Sequence, residues 1–316
     1  MNATIKNMIS GAAKHSIFIL CSVLLLFSIL AITVDHFFTA YNIFNIITQA
    51  SIYGTMAIGL TFVLISGGID VSLPAVMASG AVVGVTYMAN TGNGFIGCLI
   101  VLGVCLIFGL INGVAVAYFN MPPLIVTLAT STISTGFSVW YSNYLTITGI
   151  PVGITSFFRS YILGVPAYVL VFFLIIACSQ FLLTKTVYGR WLYFVGLNQH
   201  TSEVTEVPTR KTIATAYLIS AFTAGLAGIM LATQIGSAQA GMGRFSMVLD
   251  IVSSAVIGGV SIYGGRGEVM GAAFGALFIA LLSNVMNLLG IQFYSTLMLK
   301  GSIIILATAF DYVRNR

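Results

Sequence analysis

Apolar runs of about bilayer length follow one another almost end to end in this chain, and the pattern is interrupted at length only once, over residues 185–211. In hydrocarbon such a run satisfies its own backbone polar groups only as a helix, so the chain is confined to helical membrane architectures. The interruption reads KTVYGRWLYFVGLNQHTSEVTEVPTRK and holds Lys185, Arg190, Glu203, Glu206, Arg210 and Lys211, six of the 19 charged residues in the protein. It cannot lie in hydrocarbon. Its excess of Lys and Arg over Glu points to the cytoplasmic side, and its 27 residues leave room for a short helix. On composition alone, a solvated connector with no further role fits it equally well.

Composition enters where other classes have to be excluded. Only 6% of residues are charged and 59% are hydrophobic, whereas about a quarter are charged in a soluble domain. The expectation is therefore an all-α integral membrane protein of about ten transmembrane helices. The net charge of +5 would suggest nucleic acid in a soluble protein, but here it follows from basic residues collecting at membrane ends. Cys21, Cys98, Cys105 and Cys178 lie inside apolar runs without a C-x-x-C pair, and His15, His36 and His200 are scattered. Neither a disulfide framework nor a metal site is expected.

In chain order the expected spans are 17–34, 41–66, 74–89, 95–119, 124–141, 163–183, 212–233, 247–263, 269–290 and 294–310. The first exceeds the ~7–15 residue core of a secretory signal and lacks an A-x-A-like site, so it is read as a retained helix. Gly67-Gly68-Ile69-Asp70 breaks the second span, and Pro122-Pro123 stops the fourth. Residues 142–161 and 234–244 are expected as outer loops. This scheme puts Lys6, Lys14, Lys185, Arg190, Arg210, Lys211, Arg266, Arg314 and Arg316 inside and only Arg159 and Arg244 outside. Lys300 falls within the last span, where a central charge costs at least ~2.5–3.5 kcal/mol.

A displacement of 191 positions lays Gly67-Gly68 on Gly258-Gly259, Gly80-Ala81 on Gly271-Ala272 and Gly84 on Gly275. Internal duplication is a common build of transporters, with the pathway between the repeats. The small-xxx-small pairs Gly80/Gly84 and Gly271/Gly275 are read as close-packing positions.

Candidate polar sites each admit two roles. Asp70 and Ser72, at a helix break after two glycines, fit a hydrated pathway for hydroxyl groups or the cap of the helix running through Pro74. Asn112, Thr127, Asn284 and Asn287 suit solute hydroxyls or interhelical hydrogen bonds. Asp250 is read as a cap of the eighth span. For a secondary carrier or channel, the alternative reading, Asp70 and Lys300 are the one plausible intramembrane pair. No G-x-x-x-x-G-K-[ST] phosphate loop occurs, and no clustered constellation suggests an integral membrane enzyme.

Several strings together resemble one family. They are Thr61-Phe-Val-Leu-Ile-Ser-Gly-Gly-Ile-Asp-Val-Ser72, Leu110-Ile-Asn-Gly113, Pro122-Pro-Leu-Ile-Val-Thr-Leu128, Gly189-Arg190, Gly196-x-Asn198, Ser237-Ala-Gln239, Leu249-Asp250, Gly258-Gly259, Gly264-Gly-Arg-Gly267 and Asn287-Leu-Leu-Gly290. In this order they resemble the transmembrane permease subunits of ribose-, xylose- and arabinose-type ABC sugar importers.

The resemblance implies an importer subunit for a monosaccharide or similar small polar solute in a bacterial inner membrane, with both termini cytoplasmic. It implies a homo- or heterodimer of permeases, two cytoplasmic ATP-binding subunits that hold ATP and Mg, and a periplasmic solute-binding protein. No cofactor is then expected in this chain. A single permease domain over 1–316 is implied, its halves 17–184 and 212–316 joined by a coupling loop, 185–211. The substrate pathway is assigned to Gly67, Gly68, Asp70, Ser72, Asn112, Thr127, Asn284 and Asn287. Coupling is assigned to Gly189, Arg190, Gly196, Asn198, Glu203, Glu206 and Arg210. The chain departs from the family at Thr201-Ser202, where a pair of alanines is usual, at Glu206, where a glycine is usual, at Pro208, and at Val248 in place of an acid.

Overall fold

The computed structural model describes residues 3–162 and 164–315, without the side chains of 3–16, 245, 307 and 310–315. The sidedness expected for Lys6, Lys14, Arg314 and Arg316, and the start of a span at Leu163, fall outside the described set.

The apolar runs fold as helices. The first three are α1 (Ala3–Thr33), α2 (Ala40–Ile65) and α3 (Leu73–Thr91). Next come α4 (Gly94–Ala117), α5 (Pro123–Ser142), the short α6 (Val152–Arg159) and α7 (Ala167–Lys185). The polar island forms α8 (Val187–Leu197) and α9 (Gln199–Val204), followed by α10 (Thr209–Ile235), α11 (Phe245–Ile257), α12 (Val269–Leu288) and α13 (Phe293–Asn315). Among the described residues, eight helical stretches are long and apolar enough to cross a membrane, and Ile17–Thr33 and Phe293–Leu306 are shorter apolar helices. This is an all-α membrane protein.

Local sequence sets the helix ends. The Thr39 and Asn93 side chains accept the backbone N–H groups of Asn42 and Ile96, which fixes the starts of α2 and α4. Pro74 and Pro123 stand in the first turns of α3 and α5, where a missing N–H is harmless. Pro122 and Pro123 therefore start α5; α4 has already ended at Ala117.

The core is built around α2, which is 83% buried over its apolar window and packs on α7, α10, α11 and α12. Small residues bring α4 and α10 together: a Cβ at Gly109 or Gly113 would meet Ala221 or the Ala214 backbone. On the side away from the island, the expected outer loops are folded rather than loose. Strand β1 (Ile147–Thr148) and strands β2 (Tyr161–Ile162) and β3 (Val165–Pro166) lie in the first, and β4 (Ser237–Ala238) in the second. Antiparallel pairing of β1 with β4 ties the two loops to each other. β2 pairs with β3.

The eighth span departs most from its expected form. α11 has 13 residues, about 20 Å of helix, against ~30 Å of hydrocarbon. Its approach segment packs against the first turn of α3, where a Cβ at Gly243 would meet the Pro74 carbonyl and Ala75 Cα. The chain thus enters α11 from within the bundle, and residues 258–263, expected as helix, are turn. A hydropathy pattern gives the length of an apolar stretch and not the depth at which its helix begins.

The repeat is present at the helix ends with a shifted register. Gly67 and Gly259 carry left-handed φ values of 83° and 84°. Gly67 donates its N–H to Leu64 O at 2.9 Å and Gly68 to Val63 O at 3.0 Å; Gly259 donates to Val256 O at 2.9 Å and Val260 to Ala255 O at 3.0 Å. These are two copies of one Schellman-type ending, offset by 192 positions rather than 191. The downstream glycines serve close packing as expected, on different partners. A Cβ at Gly84 would meet Val101 and Gly97 of α4, whereas one at Gly275 would strike Ser254 at the end of α11.

Candidate functional site

The end of α2 and the turn at residues 264–267, between α11 and α12, meet the island at a single point. Gly196, near the end of α8, sits so close to the end of α2 that a Cβ there would overlap the Ile65 carbonyl oxygen and lie 2.5 Å from Gly265 N. The same Ile65 carbonyl accepts the Gly265 N–H at 2.9 Å, and a Cβ at Gly264 would come within 3.0 Å of Gly67 Cα. Tyr193, one turn earlier on α8, donates its hydroxyl to Gly267 O at 2.7 Å. Burial pushes the Tyr193 phenol above its ordinary pKa, so it stays a donor. The island is therefore held by contacts to the end of α2 and to the 264–267 turn between α11 and α12.

The other coupling candidates divide between support and surface. Gly189 is pressed against the Leu183 carbonyl where α7 turns into α8, and its N–H is taken by the Thr186 hydroxyl at 3.2 Å. The Asn198 side chain accepts the Thr201 N–H at 2.9 Å, which caps α9. Ser202, in place of the family's small apolar residue, is buried and donates its hydroxyl to Asn198 O at 2.8 Å. Arg190, Glu203, Glu206 and Arg210 are exposed, next to the exposed apolar side chains of Phe194, Leu197 and Val204. Glu206 holds φ of 60°, the left-handed region that suits the glycine usual there.

Four of the pathway candidates form one buried network. Asp70 Oδ1 accepts both the backbone N–H and the hydroxyl of Ser72, at 3.0 and 2.6 Å, and Oδ2 accepts the Ser220 hydroxyl at 2.8 Å. Asn112 donates to Ser72 Oγ at 3.0 Å and accepts from the Thr130 hydroxyl at 2.6 Å. The Tyr217 hydroxyl donates to Ile69 O at 3.2 Å, and Thr127 Oγ1 lies 3.5 Å from the same oxygen. The gap beside these groups admits no water. In this conformation they tie α3, α4, α5 and α10 to the break after α2, and Ser72 and Asp70 act locally as an Asx-type turn leading into α3.

Asn284 exchanges two hydrogen bonds with Asn42, at 3.1 and 2.7 Å, clamping α12 to α2. Asn287 lines an open space. That space is a cavity of about 350 Å³ between α2, α10, α11, α12 and α13. It is lined by Gln49, Tyr53, Arg244, Asp250, Asn287, Thr296 and Lys300, among others.

Lys300 Nζ lies 2.6 Å from Asp250 Oδ1, both side chains about nine-tenths buried. The sequence reading of Asp250 as a cap and of Lys300 as a partner of Asp70 is corrected here: Asp70 is satisfied by Ser72 and Ser220 beside the α2 break, while Asp250 faces α13 from the interior of α11. A signal for this was present. Asp70 stands in a break where N–H and hydroxyl groups are at hand, but Asp250 and Lys300 both stand within helices and need an opposite charge. Ser220, Thr130 and Tyr217 carried no such signal, being ordinary residues of apolar spans, and Tyr193 carried none within the island.

A bundle of apolar helices, interrupted by a docked helical island and enclosing a polar cavity, defines a multi-pass membrane permease. The model of a family described as the branched-chain amino acid transport system / permease component matches residues 42–308. The chain belongs to that family. The ribose import permease protein of Haemophilus influenzae is 31% identical over 294 residues, covering 92% of this chain and 91% of that one. The ribose import permease protein of Bacillus subtilis is 32% identical over 285 residues, covering 90% and 88%. The D-allose transport system permease protein of Escherichia coli is 30% identical over 299 residues, covering 93% and 90%.

Proposed function

We propose that this chain is the translocation subunit of an ATP-driven importer for a monosaccharide, working as a dimer half with a separate ATPase and an external solute-binding protein. The observation that carries the mechanism is the contact of Gly196 with the end of α2 and with the Gly264-Gly265 turn. A partner seated on the exposed face of α8 and α9, with its mixed charges and the apolar tips Phe194, Leu197 and Val204, would push through Gly196 on Ile65 and Gly265, and on α7 and α10 beside them. The island then faces the cytoplasm, and ATP and Mg are held by the partner. The relatives' printed substrates, ribose and allose, support a sugar over a branched-chain amino acid.

The test is reconstitution in liposomes with and without the ATPase subunit. ATP-dependent sugar accumulation that vanishes when the ATPase is withheld is the expected result; sugar uptake that continues without it would overturn the proposal. The buried Asp250–Lys300 pair is the one feature favouring a secondary carrier. Under that reading a proton ionophore would abolish uptake while ATP would be dispensable.

A further inference from the structure

We propose that the cavity between α2, α10, α11, α12 and α13 is a binding site for a neutral polyhydroxylated solute, in which Gln49, Asn287 and Thr296 bond hydroxyl groups beside the Asp250–Lys300 pair. The inference rests on the reading of the chain as a solute permease and gives that pathway a site. The cavity, about 350 Å³, falls at the small end of the ~300–1,000 Å³ range of ligand pockets, a size that admits one sugar ring. Its depth is that of a pathway site. Gln49 stands nine residues into α2, Asp250 five into α11 and Lys300 seven into α13, each about 8–14 Å of helix from its start. Asn287 is exposed at the opening, on the side away from the island.

The lining chooses among solute classes. Each hydroxyl of a sugar is at once donor and acceptor, and the primary amides of Gln49 and Asn287 and the hydroxyls of Tyr53 and Thr296 offer both functions. A zwitterionic amino acid needs an unengaged cation for its carboxylate and an unengaged anion for its ammonium at separate points. The buried acid and base here are 2.6 Å apart and neutralise each other, and the further charge among the lining residues, the exposed Arg244, offers a carboxylate a cation but leaves an ammonium no anion. What they retain is hydrogen-bonding capacity, one carboxylate oxygen and two ammonium protons, which serves a neutral hydroxyl array without creating net charge in the membrane. Buried polar groups around an open space require partners, and a polyol supplies several in one molecule.

The test uses the full chain in its complex. Phe293→Cys, at an exposed position of the lining with no bonding role, is labelled with a membrane-impermeant maleimide, against the unsubstituted chain as background for its four native cysteines, in the presence of D-ribose, D-allose, D-fructose or L-leucine. The expected result is labelling slowed at least about threefold by one or more of the sugars and unchanged by leucine. Protection by none of the sugars, protection by leucine to the same degree, or no labelling at all would each overturn the inference. In parallel, Gln49→Leu and Thr296→Val are expected to lower sugar uptake at least about fivefold while the complex still assembles; uptake equal to the parent would overturn it. The two readings fail separately. ATP-driven uptake without protection removes the cavity site alone, and protection with ATP-independent uptake removes the importer reading alone.

Discussion

Substitution of Gly196 by alanine places a methyl group where the structure has no space for one. The added Cβ would overlap the Ile65 carbonyl oxygen and lie 2.5 Å from Gly265 N and 2.9 Å from Ile65 C, all of them backbone atoms. No side-chain rotation relieves the clash, so α8 must withdraw from the α2 end or force Ile65 and Gly265 apart. Overpacking of this kind costs about 1–3 kcal/mol. Loss of the Gly265 N–H to Ile65 O bond, 2.9 Å long, adds about 0.5–1.5 kcal/mol. If that strain is relieved by α8 leaving its contact, the coupled arrangement loses at least tenfold in population, since about 1.4 kcal/mol is a factor of ten. The side chains of Arg190, Glu203 and Arg210 are exposed and are not among the atoms in the clash, so binding of an ATPase subunit is expected to survive. The assay is the number of solute molecules moved per ATP hydrolysed in proteoliposomes, with Gly153→Ala, where a Cβ meets nothing within 4 Å, as control. Hydrolysis that continues with at least tenfold less transport is expected. Parent-like stoichiometry for Gly196→Ala would refute the reasoning.

Three further outcomes follow from other contacts. Glu206→Gly removes a left-handed strain of about 1–2 kcal/mol against a glycine entropy cost of about 0.5–1, so a net gain of up to about 1 kcal/mol is expected as a raised unfolding temperature in nanodiscs. Lys300→Met leaves Asp250 buried without its cation and is expected to destabilise by about 3–5 kcal/mol; Lys300→Met with Asp250→Asn is expected to recover most of that in the same melting assay. Asn42→Ala and Asn284→Ala are expected to couple by about 0.6–1.7 kcal/mol in a double-mutant cycle, because each removes both bonds of one reciprocal pair.

Much of this organisation can be read from local chemistry. Apolar runs of helical length locate the spans, Gly67-Gly68 marks a helix ending that needs a left-handed residue, and a charged stretch of 27 residues has to sit in water. The island's role needed three-dimensional information, because Gly196, Ile65 and Gly265 come from segments far apart in the chain and meet through backbone atoms that no side-chain pattern encodes. The same limit let the glycine alignment settle one residue away from the register that the helix caps adopt. Asn284 and Asn287 show it in miniature. They are three residues apart on one helix, yet one clamps α2 and the other faces open space.

Everything proposed for coupling requires the island to face the ATPase compartment. Glu203→Cys puts a thiol on an exposed position of α9, where an impermeant thiol reagent can be applied from either side of the membrane. The account predicts labelling in inverted vesicles, little above background in intact cells, and protection when the ATPase subunit is bound. Labelling from the outside of intact cells would contradict it.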